Sequence, residues 1–233
     1  MATRILLKLS GEILSGKKGF GIQAETLNQI ISEIIEVKNQ GYEIGVVIGG
    51  GNIFRGSKLI ERMDFPPYKA HHMGMVGTVI NGLALETVFR KKGIKAKNYS
   101  SFNIEGISTR YNVEKARKEI LDKILIFTGG TGNPFFSTDT AASLRAVEMN
   151  ADFLLKATKV DGVFSSDPVK NDNAKFYPEI SYEEYINQNL KVMDHSAVLM
   201  CKENKIPIFI FNILKKGNLN LVLKKKSTYT LIK

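Results

Sequence analysis

Short continuous apolar runs alternate along this chain with longer segments in which apolar residues recur at helical spacing. The continuous runs, typical of buried strands, lie at 4–9, 44–48, 94–99, 124–127, 152–157 and 206–212. The segments with helical spacing lie at 24–40, 71–92, 113–123, 140–149, 182–187 and 194–203. This alternation predicts an α/β fold, a three-layer αβα sandwich with a mainly parallel central sheet, in one domain over residues 1–233.

The less regular stretches carry weaker signals. In the long segment 71–92, the residues that fit a buried side are Met73, Val76, Ile80, Leu83 and Val88. The pair Asp161-Gly162 predicts a loop or hairpin over 158–168. The tail 218–233 alternates weakly, which indicates an edge strand.

Composition places the chain among ordinary globular proteins. Its 233 residues are 43% hydrophobic and 24% charged, and no apolar run approaches the roughly 20 residues of a membrane span. The first residues lead directly into a strand, so no signal peptide is expected. The single Cys201 excludes an internal disulfide and fits a reducing cytoplasm.

The net charge of +10 favours an anionic partner such as a nucleotide, a nucleic acid or a membrane surface. The lysines are dispersed, and no basic stretch is interleaved with aromatic residues as in many RNA-binding proteins. We therefore expect a solvated basic surface, no membrane partner, and no nucleic acid as the main partner. A nucleic-acid-binding regulator stays open as a second class of function.

Histidines give no metal signal. His71 and His72 are adjacent, so on a helix they point about 100° apart, and His195 has no partner at ligand spacing. We predict no protein metal site.

Lysine or glycine clusters follow four of the predicted strands. Lys8 and Ser10 share one face at the end of the first strand, glycines follow the runs 44–48 and 124–127, and Lys156 ends the run 152–157. Because parallel strands end at the same edge of a sheet, these groups should lie close together. Such a cluster predicts an anion site, with phosphate as the natural ligand.

Two segments allow both a structural and a functional explanation. They are the glycine turn 49–51 and the helix start at 137–139. The turn is followed by Arg55, but it matches neither the P-loop pattern nor the dinucleotide fingerprint. At the helix start Ser137, Thr138 and Asp139 are all candidates for the N-cap, and capping alone would be a sufficient role for Asp139.

Several motifs resemble the bacterial UMP kinases of the amino acid kinase superfamily. They are Lys8-Leu9-Ser10-Gly11-Glu12, residues 49–56, His72-Met73-Gly74-Met75, residues 130–138 and residues 156–163. The resemblance covers nearly the whole chain. It implies an amino acid kinase-like fold and transfer of a phosphoryl group from ATP to UMP in pyrimidine nucleotide (CTP) biosynthesis. It also implies Mg²⁺ carried with ATP, a cytoplasmic homohexamer, and GTP (activator) and UTP (inhibitor) as effectors.

The resemblance assigns site residues position by position. Asp139 matches the aspartate that organises the active-site lysines, and Lys8 and Lys156, at converging strand ends, are the candidate catalytic lysines. ATP-contacting positions are Lys8, Leu9, Ser10, Gly11, Gly51, Arg55, Thr158, Phe164 and Asp167. UMP-contacting positions are Gly50, His71, Thr131, Gly132, Asn133, Pro134, Phe135, Phe136, Ser137 and Thr138. The loop Gly16, Lys17, Lys18, Gly19, Phe20 and Gly21 matches a segment tied to GTP activation.

This chain departs from the family pattern at three places. His71 stands where the family usually has an aspartate that accepts a ribose hydroxyl, and neutral histidine can accept through one ring nitrogen. The connection from Arg55 to His71 is one residue longer than usual. Glu86 stands where a basic residue for the activator is expected.

The chemistry expected of such a site is mostly electrostatic. The acceptor phosphate is already an anion and needs no general base, so positioning and charge stabilisation carry catalysis. We expect Lys8 and Lys156 to stabilise the transferring phosphoryl group, with backbone N–H groups of Gly11 and of 49–51 around it. A superfamily kinase with a carboxylate or carbamate acceptor, and a degenerate kinase acting as a nucleotide sensor, are the alternatives.

Overall fold

The computed structural model describes residues 2–56, 61, 64–168, 170–171 and 173–233. Its helices are α1 Gly11–Leu14, α2 Ala24–Asn39, α3 Pro67–Lys91, α4 Val113–Glu119, α5 Thr138–Glu148, α6 Tyr182–Asn187, α7 His195–Glu203 and α8 Asn218–Leu223. Its strands are β1 Arg4–Leu9, β2 Glu43–Ile48, β3 Ala96–Ser100, β4 Thr109–Arg110, β5 Ile124–Thr128, β6 Phe153–Thr158, β7 Val163–Phe164, β8 Phe176–Tyr177, β9 Glu179–Ile180, β10 Ile208–Asn212 and β11 Thr230–Ile232.

The described strands form one large sheet and one small one. The large sheet has the order β4-β3-β5-β2-β1-β6-β10-β11-β9, and its pairs are parallel apart from β10 with β11. The strands β7 and β8 form an antiparallel pair of their own. The four strands with lysine or glycine clusters, β5, β2, β1 and β6, are therefore neighbours in the middle of the sheet.

Helices cover both faces of the sheet. On β1, Leu6 belongs to a core with Ala142 and Ala146 of α5, whereas its neighbour Leu7 belongs to a second core with Ile34 of α2. Alternate residues of one strand thus enter different cores, as expected for a sheet between two helical layers. The predicted αβα sandwich is confirmed. The tail adds the strand β11 and also the helix α8, which the weak alternation did not predict.

The predicted buried side of the long helix α3 is wrong. Met73, Val76 and Ile80 are 41%, 48% and 45% exposed, and Leu83 and Val88 are only half-buried. Larger buried residues of α3 lie on another side: Met75, Val79, Leu85 and Phe89.

Glycines explain why the other side of α3 faces the sheet. A Cβ atom on Gly82 would lie 2.4 Å from Thr128 Cγ2, and one on Gly50 would lie 2.5 Å from the carbonyl oxygen of Gly74. The helix therefore packs closely through its small residues. A pattern that counts only large apolar residues selects the wrong side.

No helix in the described part of the chain is long and apolar enough to cross a membrane.

Candidate active site

Two lysines from neighbouring strands lie side by side. In the parallel register of β1 and β6, Lys8 pairs with Lys156. Directly paired residues of parallel strands point to the same face. Both are buried, at 8% and 6% exposure, although lysine is rarely buried without a partner.

Their partner is Asp139, in the first turn of α5 and 7% exposed. Lys8 Nζ lies 2.7 Å from Asp139 Oδ1 as an ion pair outside hydrogen-bond geometry, and Lys156 Nζ donates a short hydrogen bond to Oδ2. We call Lys8, Asp139 and Lys156 the charge triad. With both lysines charged, its formal net charge is +1, which suits an anionic ligand.

The N-cap of α5 is Ser137, whose hydroxyl accepts the N–H groups of Asp139 at 3.0 Å and Thr140 at 3.3 Å. Asp139 therefore does not act as the cap. Its carboxylate contacts the two lysines, which is the arrangement expected from the family resemblance.

Burial and charge act in opposite directions on the triad. Burial alone would raise the pKa of Asp139, but the charges of Lys8 and Lys156 lower it below its ordinary value, so the group stays a carboxylate. For Lys156, burial lowers the pKa to about 8, with Asp139 opposing the change and Lys8 adding to it.

We expect the affinity for ATP to fall as pH rises through about 8, because Lys156 then loses the proton that gives it its charge. Titration calorimetry across this pH range measures the Kd for ATP. The Lys156→Arg variant should lack this fall, because arginine stays charged. A fall of equal size in Lys156→Arg, or none in the unmodified protein, contradicts the assignment.

The glycine turn after β2 is packed against its own chain. A Cβ on Gly11 would lie 2.5 Å from the carbonyl oxygen of Gly49, so the turn approaches the end of β1 closely. The N–H group of Gly49 donates to the carbonyl of Leu9 at 2.9 Å. The prediction that Gly49 offers a free N–H group to a phosphate is therefore wrong.

Two buried asparagines that the sequence did not single out hold this turn. Asn81 of α3 donates to the Gly49 carbonyl at 2.7 Å, and its side-chain amide pairs with that of Asn52. Asn52 also donates to the Gly21 carbonyl at 2.8 Å and accepts the Gly21 N–H through its own carbonyl at 2.9 Å. The loop 16–21 is thereby attached to the glycine turn. A polar Asn81 on the glycine-bearing side of α3 was the available signal.

A first cavity of about 330 Å³ opens beside the glycine turn. Predicted UMP positions that line it are Gly50, His71, Phe136, Ser137 and Thr138. Gly51, predicted to contact ATP, also lines it, with Phe54, Gly56, Ala70, Gly74, Met75, Thr78 and Gly130.

The remaining predicted UMP positions, Thr131, Gly132, Asn133, Pro134 and Phe135, belong to the same loop but do not line the cavity. The ring of Phe135 contacts that of His71 at a centroid distance of 5.0 Å. The longer connection between Arg55 and His71 lies partly outside the described residues.

A second cavity of about 450 Å³ lies beyond the end of β6. It is lined by two predicted ATP positions, Phe164 and Asp167, and by Val160, Ser165, Ser166, Pro168 and residues 188–192. Thr158, the last residue of β6, hydrogen-bonds to Val160 through its hydroxyl. The other predicted ATP positions Leu9, Ser10 and Gly11 directly follow Lys8 at the end of β1.

Arg55 is ion-paired with an acidic residue at the surface. Its Nη2 atom lies 2.5 Å from Glu12 Oε1, and Lys159 Nζ lies 3.7 Å from Glu12 Oε2. Glu12 thus connects cations from the ends of β2 and β6, a role that the motif around Lys8 did not indicate.

Among the described residues, no group of three or more His, Cys, Asp or Glu side chains could hold a metal ion.

Comparison with known proteins agrees with this geometry. The model of the amino acid kinase family matches residues 3–212. The chain is 47% identical to the uridylate kinase of Histophilus somni (98% of this chain, 96% of that protein) and 46% identical to that of Actinobacillus pleuropneumoniae (98% and 97%).

Solved structures give the same result. The UMP kinase of Ureaplasma parvum superposes with a TM-score of 0.95 at 36% identity, covering 100% of this chain and 99% of that one. The UMP kinase of Bacillus anthracis gives 0.95 and 36%, covering 99% and 96%. The chain therefore belongs to the amino acid kinase family, in the branch that contains the uridylate kinases.

Proposed function

We propose that this protein is a UMP kinase, which transfers the γ-phosphoryl group of ATP to UMP and releases ADP and UDP. The observation that carries the proposal is the charge triad and its position. In the sheet order β5-β2-β1-β6, the first cavity adjoins the ends of β5 and β2, the lysines stand on β1 and β6, and the second cavity follows β6. A site for UMP and a site for ATP thus lie on either side of two buried ammonium groups.

The reaction needs little from the protein beyond placement and charge. A phosphate oxygen of UMP attacks the γ-phosphorus of ATP, the bond to the β-phosphate oxygen breaks, and no proton has to move. Lys8 and Lys156 stabilise the negative charge on the transferring oxygens. Asp139 keeps both ammonium groups together at the end of their strands.

Mg²⁺ enters with ATP in this proposal. Both carboxylate oxygens of Asp139 already contact lysines, so the triad leaves no free carboxylate for a cation. Mg²⁺ is reluctant to lose its water and commonly keeps several waters beside nucleotide phosphates. The positive charge of the metal would offset negative charge on the oxygens of the γ-phosphoryl group.

The acceptor is the feature that separates the candidate functions. Release of ADP is measured with UMP, CMP, dUMP and N-acetylglutamate side by side. The proposal predicts the highest turnover with UMP, whereas preference for N-acetylglutamate would place the protein with the carboxylate kinases. A nucleic-acid-binding regulator is not favoured, because the relatives of this chain are named uridylate kinases and Ser137 and Thr138, directly before Asp139, line the first cavity. As a producer of UDP, the protein would act in the cytoplasm, in the route to CTP.

His71 tunes the affinity for UMP. It lines the first cavity at the position where the family usually has an aspartate. Replacing His71 by aspartate should lower the KM for UMP several-fold, because a carboxylate accepts a hydroxyl more strongly than a neutral ring nitrogen does. His72→Asp, on the neighbouring exposed position, is the matched control. An unchanged KM for UMP in His71→Asp would remove this residue from the site.

Self-association through α3 is also proposed, with a homohexamer as the final state. Met73, Val76 and Ile80 recur at helical spacing and form one exposed apolar stripe on α3. Such a stripe on a soluble protein marks an interaction surface. A second copy of this chain is the partner that the homohexamer implied by the family resemblance supports.

Replacing Ile80 by glutamate should dissociate the assembly, because a desolvated carboxylate in an apolar interface is costly. Light scattering after size exclusion measures the mass. Leu221→Glu, at a similarly exposed position on α8, should leave the mass unchanged. Equal masses for Ile80→Glu and the unmodified protein would exclude this surface.

We also propose that GTP activates this protein and that UTP inhibits it. The attachment of Gly21 to Asn52 offers a route by which the loop 16–21 could alter the glycine turn. Turnover should rise when GTP is added and fall when UTP is added.

A further inference from the structure

A buried arginine, outside the residues assigned so far, is linked by hydrogen bonds to the wall of the first cavity. Arg145 of α5 is 5% exposed. Its Nη1 atom lies 2.5 Å from Glu148 Oε2, and its guanidinium carbon lies 3.9 Å from the ring centroid of Tyr111. The Tyr111 hydroxyl donates to the same Glu148 oxygen at 2.8 Å. The guanidinium is therefore held in one orientation by a carboxylate and an aromatic face.

The remaining side of the guanidinium is directed at a serine. Arg145 Nη2 donates to Ser101 Oγ at 3.1 Å, and Ser101 Oγ donates to the carbonyl oxygen of Gly130 at 2.7 Å. A hydroxyl has one hydrogen to give, and arginine can only donate. The Thr128 carbonyl oxygen also lies within reach of Ser101 Oγ, at 3.4 Å, but the Gly130 carbonyl oxygen is much nearer. The hydrogen bonds therefore run from Arg145 through Ser101 to Gly130, which lines the first cavity.

The segment that receives this bond depends on such support. Gly129, Gly130 and Gly132 have φ angles of +75°, +58° and +87°. Glycines have a large conformational freedom to lose. A Cβ on Gly132 would lie 3.2 Å from Ser101 Cβ, so the segment also packs against this serine. Ser101 thus fixes the segment through one hydrogen bond and one close contact.

We propose that Arg145 and Ser101 are positioning residues for the acceptor nucleotide, and that they set the affinity for UMP without touching either substrate. The inference rests on the proposed function. It requires that Gly130, held by Ser101, form part of the wall of the UMP site. The ATP side of the protein does not share this network, because the second cavity is built from other segments.

The test compares Ser101→Ala and Arg145→Lys with the unmodified protein in steady-state kinetics. Each variant should raise the KM for UMP about tenfold, the loss expected for one hydrogen bond to a charged group. The kcat at saturating UMP and the KM for ATP should change less than twofold. Lysine keeps the charge of Arg145 but cannot hold both Glu148 and Ser101 with a planar fork.

Arg117→Lys serves as the matched control. Arg117 also bonds the end of α5, through the Glu148 carbonyl at 2.5 Å, but it lies at the surface and makes no bond to Ser101 or Gly130. A melting temperature that falls with an unchanged KM for UMP would show a merely structural role and overturn the inference. Equal increases in the KM for both substrates would overturn it as well. If the unmodified protein does not phosphorylate UMP, the proposed function fails first and the inference falls with it.

Discussion

Replacing Lys8 by alanine should lower kcat for UMP-dependent ADP release by about 10²- to 10³-fold, the usual effect of removing one group that stabilises the transition state. In the protein, Lys8 and Lys156 share Asp139, and the formal charge of the triad is +1. Without Lys8, the remaining pair is neutral and offers no net attraction to the transferring phosphoryl group.

The fold should survive this change. The pair Lys156–Asp139 stays intact in Lys8→Ala, so no buried charge is left without a partner. A coupled assay for ADP gives the turnover, and circular dichroism checks the fold. Lys202→Ala, which breaks a surface ion pair between Lys202 of α7 and Glu183 of α6, is the matched control and should keep full activity. Turnover near that of the unmodified protein in a folded Lys8→Ala variant contradicts the mechanism.

Replacing Asp139 by asparagine should have a double effect. Two buried ammonium groups would then face each other without a counter-charge, and removing one partner of a buried ion pair costs about 3 kcal/mol or more of unfolding free energy. The charge of Asp139 opposes the burial that lowers the pKa of Lys156. Without that charge, Lys156 would lose its proton more readily. We expect kcat to fall by at least about 10²-fold, since one of the two charges disappears from the site.

Denaturant unfolding and the same coupled assay separate this role from helix capping. Ser181→Ala removes the side-chain cap of α6, which accepts the Glu184 N–H at 3.1 Å, and should cost about 1 kcal/mol with turnover unchanged. If Asp139→Asn resembles Ser181→Ala in both measurements, Asp139 has only a structural role.

The central part of the site could be predicted from the sequence because parallel strands end at one edge. This rule brings together Lys8, Lys156 and the glycine clusters, and the register of β1 with β6 confirms it. The sequence could not decide between Ser137 and Asp139 as the cap of α5. Both residue types cap helices, and only the position of β1 and β6 below α5 directs the carboxylate to the lysines.

Other features depend on contacts between distant segments. The buried side of α3 is set by glycines that meet other backbones, so large apolar residues mislead. The N–H of Gly49 is occupied by Leu9, whose position follows from the pairing of β1 with β2. Arg145 and Ser101 are 44 residues apart, and nothing local links them.

The most direct test of the charge triad is a crystal structure with a bisubstrate analogue in which adenosine and uridine are joined by a chain of phosphates. We expect uridine in the first cavity, adenosine in the second, and the Nζ atoms of Lys8 and Lys156 within about 3 Å of phosphate oxygens. Phosphates bound elsewhere, with both ammonium groups still directed only at Asp139, would contradict it.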